Sequence, residues 1–115
     1  MTAVSRRGLE VSHEWGCDAV RDIASGDRID PSGLPIPDSL VERLAEWAAR
    51  WDLTFDVERP DEPKVDTWVI EELGKEGAHL WKAVLTVLPP THYEVVYVHN
   101  DTVYRQPSEL PHEWW

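Results

Sequence analysis

Residues 92–106 read HYEVVYVHNDTVYRQ, and this stretch decides the fold. Tyr93, Val95, Tyr97 and His99 alternate with Glu94, Val96 and Val98, the period-two pattern of a strand running from about Tyr93 to His99. The second set holds two valines, so the strand is expected to be central, with helices over one face and neighbours on both sides. Asn100 and Asp101 tolerate the positive φ that a two-residue hairpin turn demands, and Thr102–Arg105 then makes the return strand.

Working back from the hairpin, Pro89-Pro90 stops a helix that Asp66 or Thr67 can cap. Its apolar stripe is Ile70, Leu73, Gly77, Leu80, Trp81, Val84 and Leu88. Gly77 lies on the stripe, where close packing would offset its low helix propensity of about 1 kcal/mol relative to Ala. Gly74 lacks that compensation, and a bend or break is expected there. An earlier helix carries Leu40, Leu44, Trp47, Ala48 and Trp51 on one face, with Glu42, Arg43, Glu46 and Arg50 opposite. Pro37 suits its first turn, and Ser39 with Glu42 has capping-box spacing.

Leu9, Val11, His13 and Trp15 alternate with Glu10, Ser12 and Glu14, which predicts a half-buried first strand. The Gly- and Pro-rich stretch 16–37 reads as a connection, with one short helical turn at 19–24. Leu53, Phe55 and Val57 suggest another short strand before the charged, proline-broken loop ERPDEPKVD. The expected architecture is an α+β, two-layer single domain over residues 1–115. Its small, mostly antiparallel sheet uses strands near 9–15, 93–99 and 102–105, with 53–57 as a candidate addition. Two helices, about 38–51 and 67–88, lie on one face.

The 115 residues are 42% hydrophobic and include seven Trp, enough for a real core. No apolar run approaches membrane-spanning length and no signal-peptide pattern opens the chain, so the expected address is cytoplasmic. A single Cys, Cys17, excludes an internal disulfide and a thiolate metal cluster. The net charge of −11 repels nucleic acid and anionic lipid and attracts basic proteins. The same excess also serves plain solubility.

Chemistry-bearing patterns are sparse. The five His, at 13, 79, 92, 99 and 112, show no local metal spacing, although His13, His99 and Cys17 could meet across strands. There is no nucleophile elbow and no phosphate loop. Glu71, Glu72 and Glu76 could act as paired carboxylates but read as a solvated helix face. Asp18 beside Cys17 disfavours a thiolate. No catalytic residue, cofactor or metal ligand is assigned.

Tryptophan is the unusual feature. Trp47, Trp51 and Trp81 fall on buried stripes, whereas Trp68 stands off its helix's main stripe. With Asp61, Glu62, Asp66, Glu71 and Glu72 around it, Trp68 has the composition of a protein-binding patch: an apolar anchor inside a charged rim. The tripeptide His-Glu-Trp occurs twice, at 13–15 and 112–114, and the chain closes on Trp114-Trp115. The closing pair is expected to dock on the protein's own sheet, because leaving two indoles in water forgoes their burial. A tripeptide repeat is unsurprising by chance, so the two copies need not form one site.

The stretches GLPIPDSLVERLAEWAARWD (33–52) and EGAHLWKAVLTVLPPTHYEVVYV (76–98) resemble small bacterial proteins from GC-rich genomes that have no assigned activity. The shared pattern is LPxxxxLxxRLxxWAxxWD followed by the YEVVYV strand. Pro37 departs from it, standing where those proteins carry a Ser cap. The resemblance implies the same order of elements and no particular chemistry.

These readings converge on a small acidic interaction protein without catalysis. Its most concrete form is an inhibitor or immunity protein that binds a basic protein such as a toxin or nuclease, with Asp61, Glu62, Asp66, Trp68, Glu71 and Glu72 in contact. No nucleic-acid or membrane partner is expected. An accessory subunit of a larger assembly is the second reading. A small-ligand binder or minor enzyme with a Trp- and His-lined pocket is the third.

Overall fold

A computed structural model describes residues 6–54 and 66–114. The strands are β1 (Arg7–Val11), β2 (Val20–Asp22), β3 (Arg28–Ile29), β4 (Tyr93–His99) and β5 (Thr102–Tyr104); the helices are α1 (Asp38–Asp52) and α2 (Thr67–Val87). The sheet order is β3-β2-β1-β4-β5, so β4 has neighbours on both sides as its two apolar faces require. β1 runs parallel to β4 and the other pairings are antiparallel. The fold is α+β, with Asn100 and Asp101 at φ 49° and 63° making the β4–β5 turn.

Leu9, Val11, Val20, Val95 and Tyr97 form the sheet face under the helices, where they join Leu44, Trp47, Leu80, Trp81 and Val84 in one core. Tyr97 is the centre of that core. Its ring lies between those of Trp81 and Tyr104, at centroid distances of 5.9 and 6.0 Å, and its Oη donates to the Gly74 carbonyl at 2.6 Å. Trp47 Nε1 donates to the Leu73 carbonyl at 2.8 Å, and Trp81 Nε1 to the Val95 carbonyl at 3.0 Å. Each buried indole or phenol named here finds a backbone acceptor, as burial in a low dielectric demands.

Several expectations are corrected. The first strand ends at Val11 instead of Trp15, because the chain turns at Glu14–Cys17: Gly16 sits at φ 73° and Cys17 N–H bonds to the Glu14 carbonyl. Residues 19–24 hold no helical turn. Val20–Asp22 pairs with β1, Asp22 takes the Ala24 N–H, and Gly26 at φ 76° carries the chain back as β3. Leu53 and Thr54 form a turn rather than a strand start, and residues 55–57 lie outside the described residues. The return strand stops at Tyr104.

The first helix begins at Asp38 with Pro37 as its cap residue and no side-chain cap bond. Ser39 thus sits inside the helix and the expected capping box does not form. α2 runs unbroken through Gly74 and Gly77. A Cβ at Gly74 would lie 2.6 Å from His99 Nε2 and 2.9 Å from Trp114 Cη2, so Gly74 has the packing reason that its place in the sequence did not reveal. Trp114 docks on its own chain, edge-on to His99 at 5.3 Å and tilted against Tyr104 at 6.4 Å, while Lys82 Nζ holds its carbonyl. Trp115 lies outside the described residues.

Candidate functional site

One end of the molecule gathers the unusual residues. Here β1 and β4 finish, α1 ends and α2 begins. The last turn of α1 organises it. Trp51 stacks on His13 at 5.3 Å and lies 5.8 Å from His99. Asp52 Oδ1 accepts from the Gly16 N–H at 3.0 Å and from His13 Nε2 at 2.9 Å, which pins the 13–17 turn to the helix. Leu53 follows, 69% exposed. Two other large apolar side chains at this end are also open to solvent: Trp15 at 51% and Trp68 at 64%.

Grooves separate these projections. Between α1 and α2 a groove of about 480 Å³ is lined by Leu53, Trp68, Val69, Glu72 and Leu73, with the Arg50–Glu76 ion pair in its wall. On the other side of α1 a groove of about 460 Å³ runs past Cys17, Asp18, Asp30 and Asp52 over a floor of Ala45, Ala48 and Ala49. A hollow of about 300 Å³ at the strand ends is lined by His13, Trp47, Trp51, His99 and Asp101. This is where a Trp- and His-lined pocket exists. The rest of the helix–sheet interface is filled by the core.

The expected contact residues divide as follows. Asp66 is exposed at the cap of α2, and Trp68 and Glu72 share the α1–α2 groove. Glu71 is exposed, and with Glu72 it lines a cleft of about 320 Å³ facing Glu113 and Trp114 of the C-terminal turn. Asp61 and Glu62 lie outside the described residues. The patch therefore spreads over two hollows that Glu72 borders in common, with Trp68 in the α1–α2 groove and Glu71 and Glu113 in the cleft by the C-terminal turn.

His99 is the buried titratable group of this end. Burial among Trp51, Tyr97 and Trp114 pushes its pKa below the ordinary imidazole value, and the Glu71 carboxylate opposes that only in part. His99 is thus a packed neutral ring. Cys17 sits in the Asp-lined groove, on the far side of α1's last turn from the groove that holds Trp68. Among the described residues no group of three His, Cys, Asp or Glu converges as a metal site would require.

Trp15, Asp52, Leu53 and Glu113 are the residues that sequence reasoning missed. Trp15 fitted the alternation of the first strand and was assigned to its buried side. The signal against that lay one residue on, in Gly16, which marks a turn. The two His-Glu-Trp stretches do meet indirectly: His13, Trp51, His99 and Trp114 form a continuous run of touching rings.

Among the described residues no helix is long and apolar enough to cross a membrane. No curated protein matches the chain. The family model described as Serratia CdiI immunity protein-like matches residues 7–100, from the start of β1 to the β4–β5 turn. The chain belongs to that family, and so to the immunity proteins, whose work is to bind a toxin.

Proposed function

We propose that this member of the Serratia CdiI immunity protein-like family neutralises a basic toxin in the cytoplasm, by covering its working surface and without chemistry of its own. The contact is the acidic start of α2, with Trp68 as anchor and Asp66, Glu71 and Glu72 as rim, together with Asp61 and Glu62 earlier in the sequence. The observation that carries this reading is Trp68. An indole 64% exposed in the groove that Glu72 also lines leaves a large apolar surface in water, which association would cover. The net charge of −11 fits a cationic partner, since it steers encounter and raises the association rate at low salt. A toxin that acts on nucleic acid must present cations to phosphate, and an acidic cap would compete for that surface.

The test is co-expression with the toxin, followed by affinity measurement on the purified pair. Trp68→Ala should raise Kd by about tenfold or more, the range of an interface anchor. Glu71→Gln with Glu72→Gln should slow association and flatten its salt dependence. A complex insensitive to all three substitutions would place the toxin elsewhere on the surface. A toxin that carries no basic patch would remove the charge argument.

A further inference from the structure

Of the six large apolar residues exposed among the described residues, Trp15, Leu53 and Trp68 stand at the same end of the molecule. Val87 and Ile23 do not: Val87 closes the far end of α2 and Ile23 packs over Gly8 at the start of β1, while Val103, opposite Val98 next to the β4–β5 turn, lies on the sheet face away from the helices. The gathering at one end has a built cause. Asp52 holds both His13 and the Gly16 N–H, so the residues on either side of Trp15 are fixed to the last turn of α1. The next residue of that turn, Leu53, lines the groove it shares with Trp68. The two tryptophans therefore flank one helical turn, with a groove on each side of it.

The charge around them has one sign in excess. Glu14, Asp18, Asp52, Asp66, Glu71, Glu72 and Asp101 belong to this end. Of its cations, Arg28 is bonded to Glu14 and to the Ser12 and Asp18 carbonyls, Arg50 is paired with Glu76, and Arg43 and Lys75 line the α1–α2 groove. Apolar anchors within a rim where carboxylates outnumber cations suit a basic surface with two apolar recesses, and suit a second copy of this acidic chain poorly.

Resting on the toxin-binding reading above, we infer that the basic toxin seats across this whole end of the molecule, with Trp15 as a second anchor beside Trp68 and Asp52 as the residue that positions it. The contact is then not confined to the start of α2. It straddles the C-terminal turn of α1 and draws on the 13–17 turn, which precedes α2 by some 50 residues in the sequence.

The experiment uses the full chain and, as probe, the growth-arresting toxin that it neutralises in co-expression. Kd is measured for Trp15→Ala, Trp68→Ala, Asp52→Ala and the pair Trp15→Ala/Asp52→Ala, with Val87→Ala and Ile23→Ala as controls at the other end. Trp15→Ala is expected to raise Kd by about tenfold, and the controls to change it less than about twofold. Asp52→Ala should weaken binding in the parent chain and add little once Trp15 is gone, the coupling expected of a positioning residue. Circular dichroism of each free variant separates lost contact from lost fold. If Trp15→Ala binds as the parent does while Trp68→Ala is weakened, the second anchor is wrong and the α2 patch stands. If Trp68→Ala and Glu71→Gln/Glu72→Gln also bind as the parent does, the patch itself is wrong. Equal losses for Asp52→Ala with and without Trp15 would overturn the positioning role.

Discussion

Gly77 shows how much of this fold rests on an absent methyl group. A Cβ there would meet Tyr97 Oη and stand 2.5 Å from Trp47 Cζ2. Neither ring is free to retreat, because each is bonded to a carbonyl of α2 itself, at Gly74 and Leu73. Gly77→Ala would gain about 1 kcal/mol of helix propensity. Overpacking against two tethered rings costs roughly 1–3 kcal/mol, and here the cost should win. Denaturant unfolding should show a net loss, and a gain in stability would mean that the rings can move after all. His99 makes a pH prediction. Its folded pKa lies below the unfolded value of 6.5, so its neutral form stabilises the fold fully above that pH. The contribution is lost as pH falls from there through the lower, folded value. Unfolding free energy measured from about pH 8 to about pH 5 should fall more steeply for the parent than for His99→Gln. Equal slopes would assign the acid loss to carboxylates alone, such as Glu10, which Arg21 holds below its ordinary pKa.

At the scale of elements, the C-terminal turn is a working part of the core. His112–Trp114 is a single 3-10 turn with no hydrophobic face of its own to speak of, yet it lays Trp114 over His99 and Tyr104. Trp114→Ala should cost roughly 2–3 kcal/mol, below the value for a fully buried Trp because this one is half-buried. It should also let water reach His99 and so shrink the acid-dependent loss of stability. Chemical denaturation at two pH values checks both effects at once. The β2–β3 hairpin is held differently. Arg21 makes two bonds of 3.0 Å to Glu10 directly across the strand pair, and Glu10 in turn accepts from Ser12. Two- and three-residue strands have little apolar area to offer, so such cross-strand charge pairs and the Asp22 turn carry much of the pairing.

For the whole molecule, charge and packing act in opposite directions. The arginines of the sheet side are matched: Arg6 and Arg105 with Glu94, Arg21 with Glu10, Arg28 with Glu14. The acidic excess falls mainly on the helices and on the end that carries the exposed tryptophans. Self-repulsion of that excess should weaken the free chain at low ionic strength. Added salt should therefore raise its melting temperature, while the same salt should weaken the complex with the basic toxin proposed above. A melting temperature unchanged between about 20 and 200 mM salt would show that the acidic surface is too well spaced to repel itself. One core cluster draws on both helices and on strands from each half of the chain, so a single cooperative transition is expected by far- and near-ultraviolet circular dichroism.

Periodicity alone determined the two helices, the Tyr93–His99 strand and its hairpin, because each repeats its apolar positions over two turns or more, or spans a turn that favours Asn and Asp. Composition pointed to binding through charge and to Trp68 as an outlier from its stripe. Local pattern could not see the partners that end or create an element. Val11 ends β1 because Gly16 and Asp52 turn the chain away, and Asp52 is 36 residues from Gly16. Val20–Asp22 becomes a strand because β1 offers it an edge, not because three residues prefer to be extended. Gly74 and the 13–17 turn read as a flaw and a strand end in the sequence. Tertiary contact made the first a seat for His99 and Trp114, and left Trp15 half-exposed beside the last turn of α1.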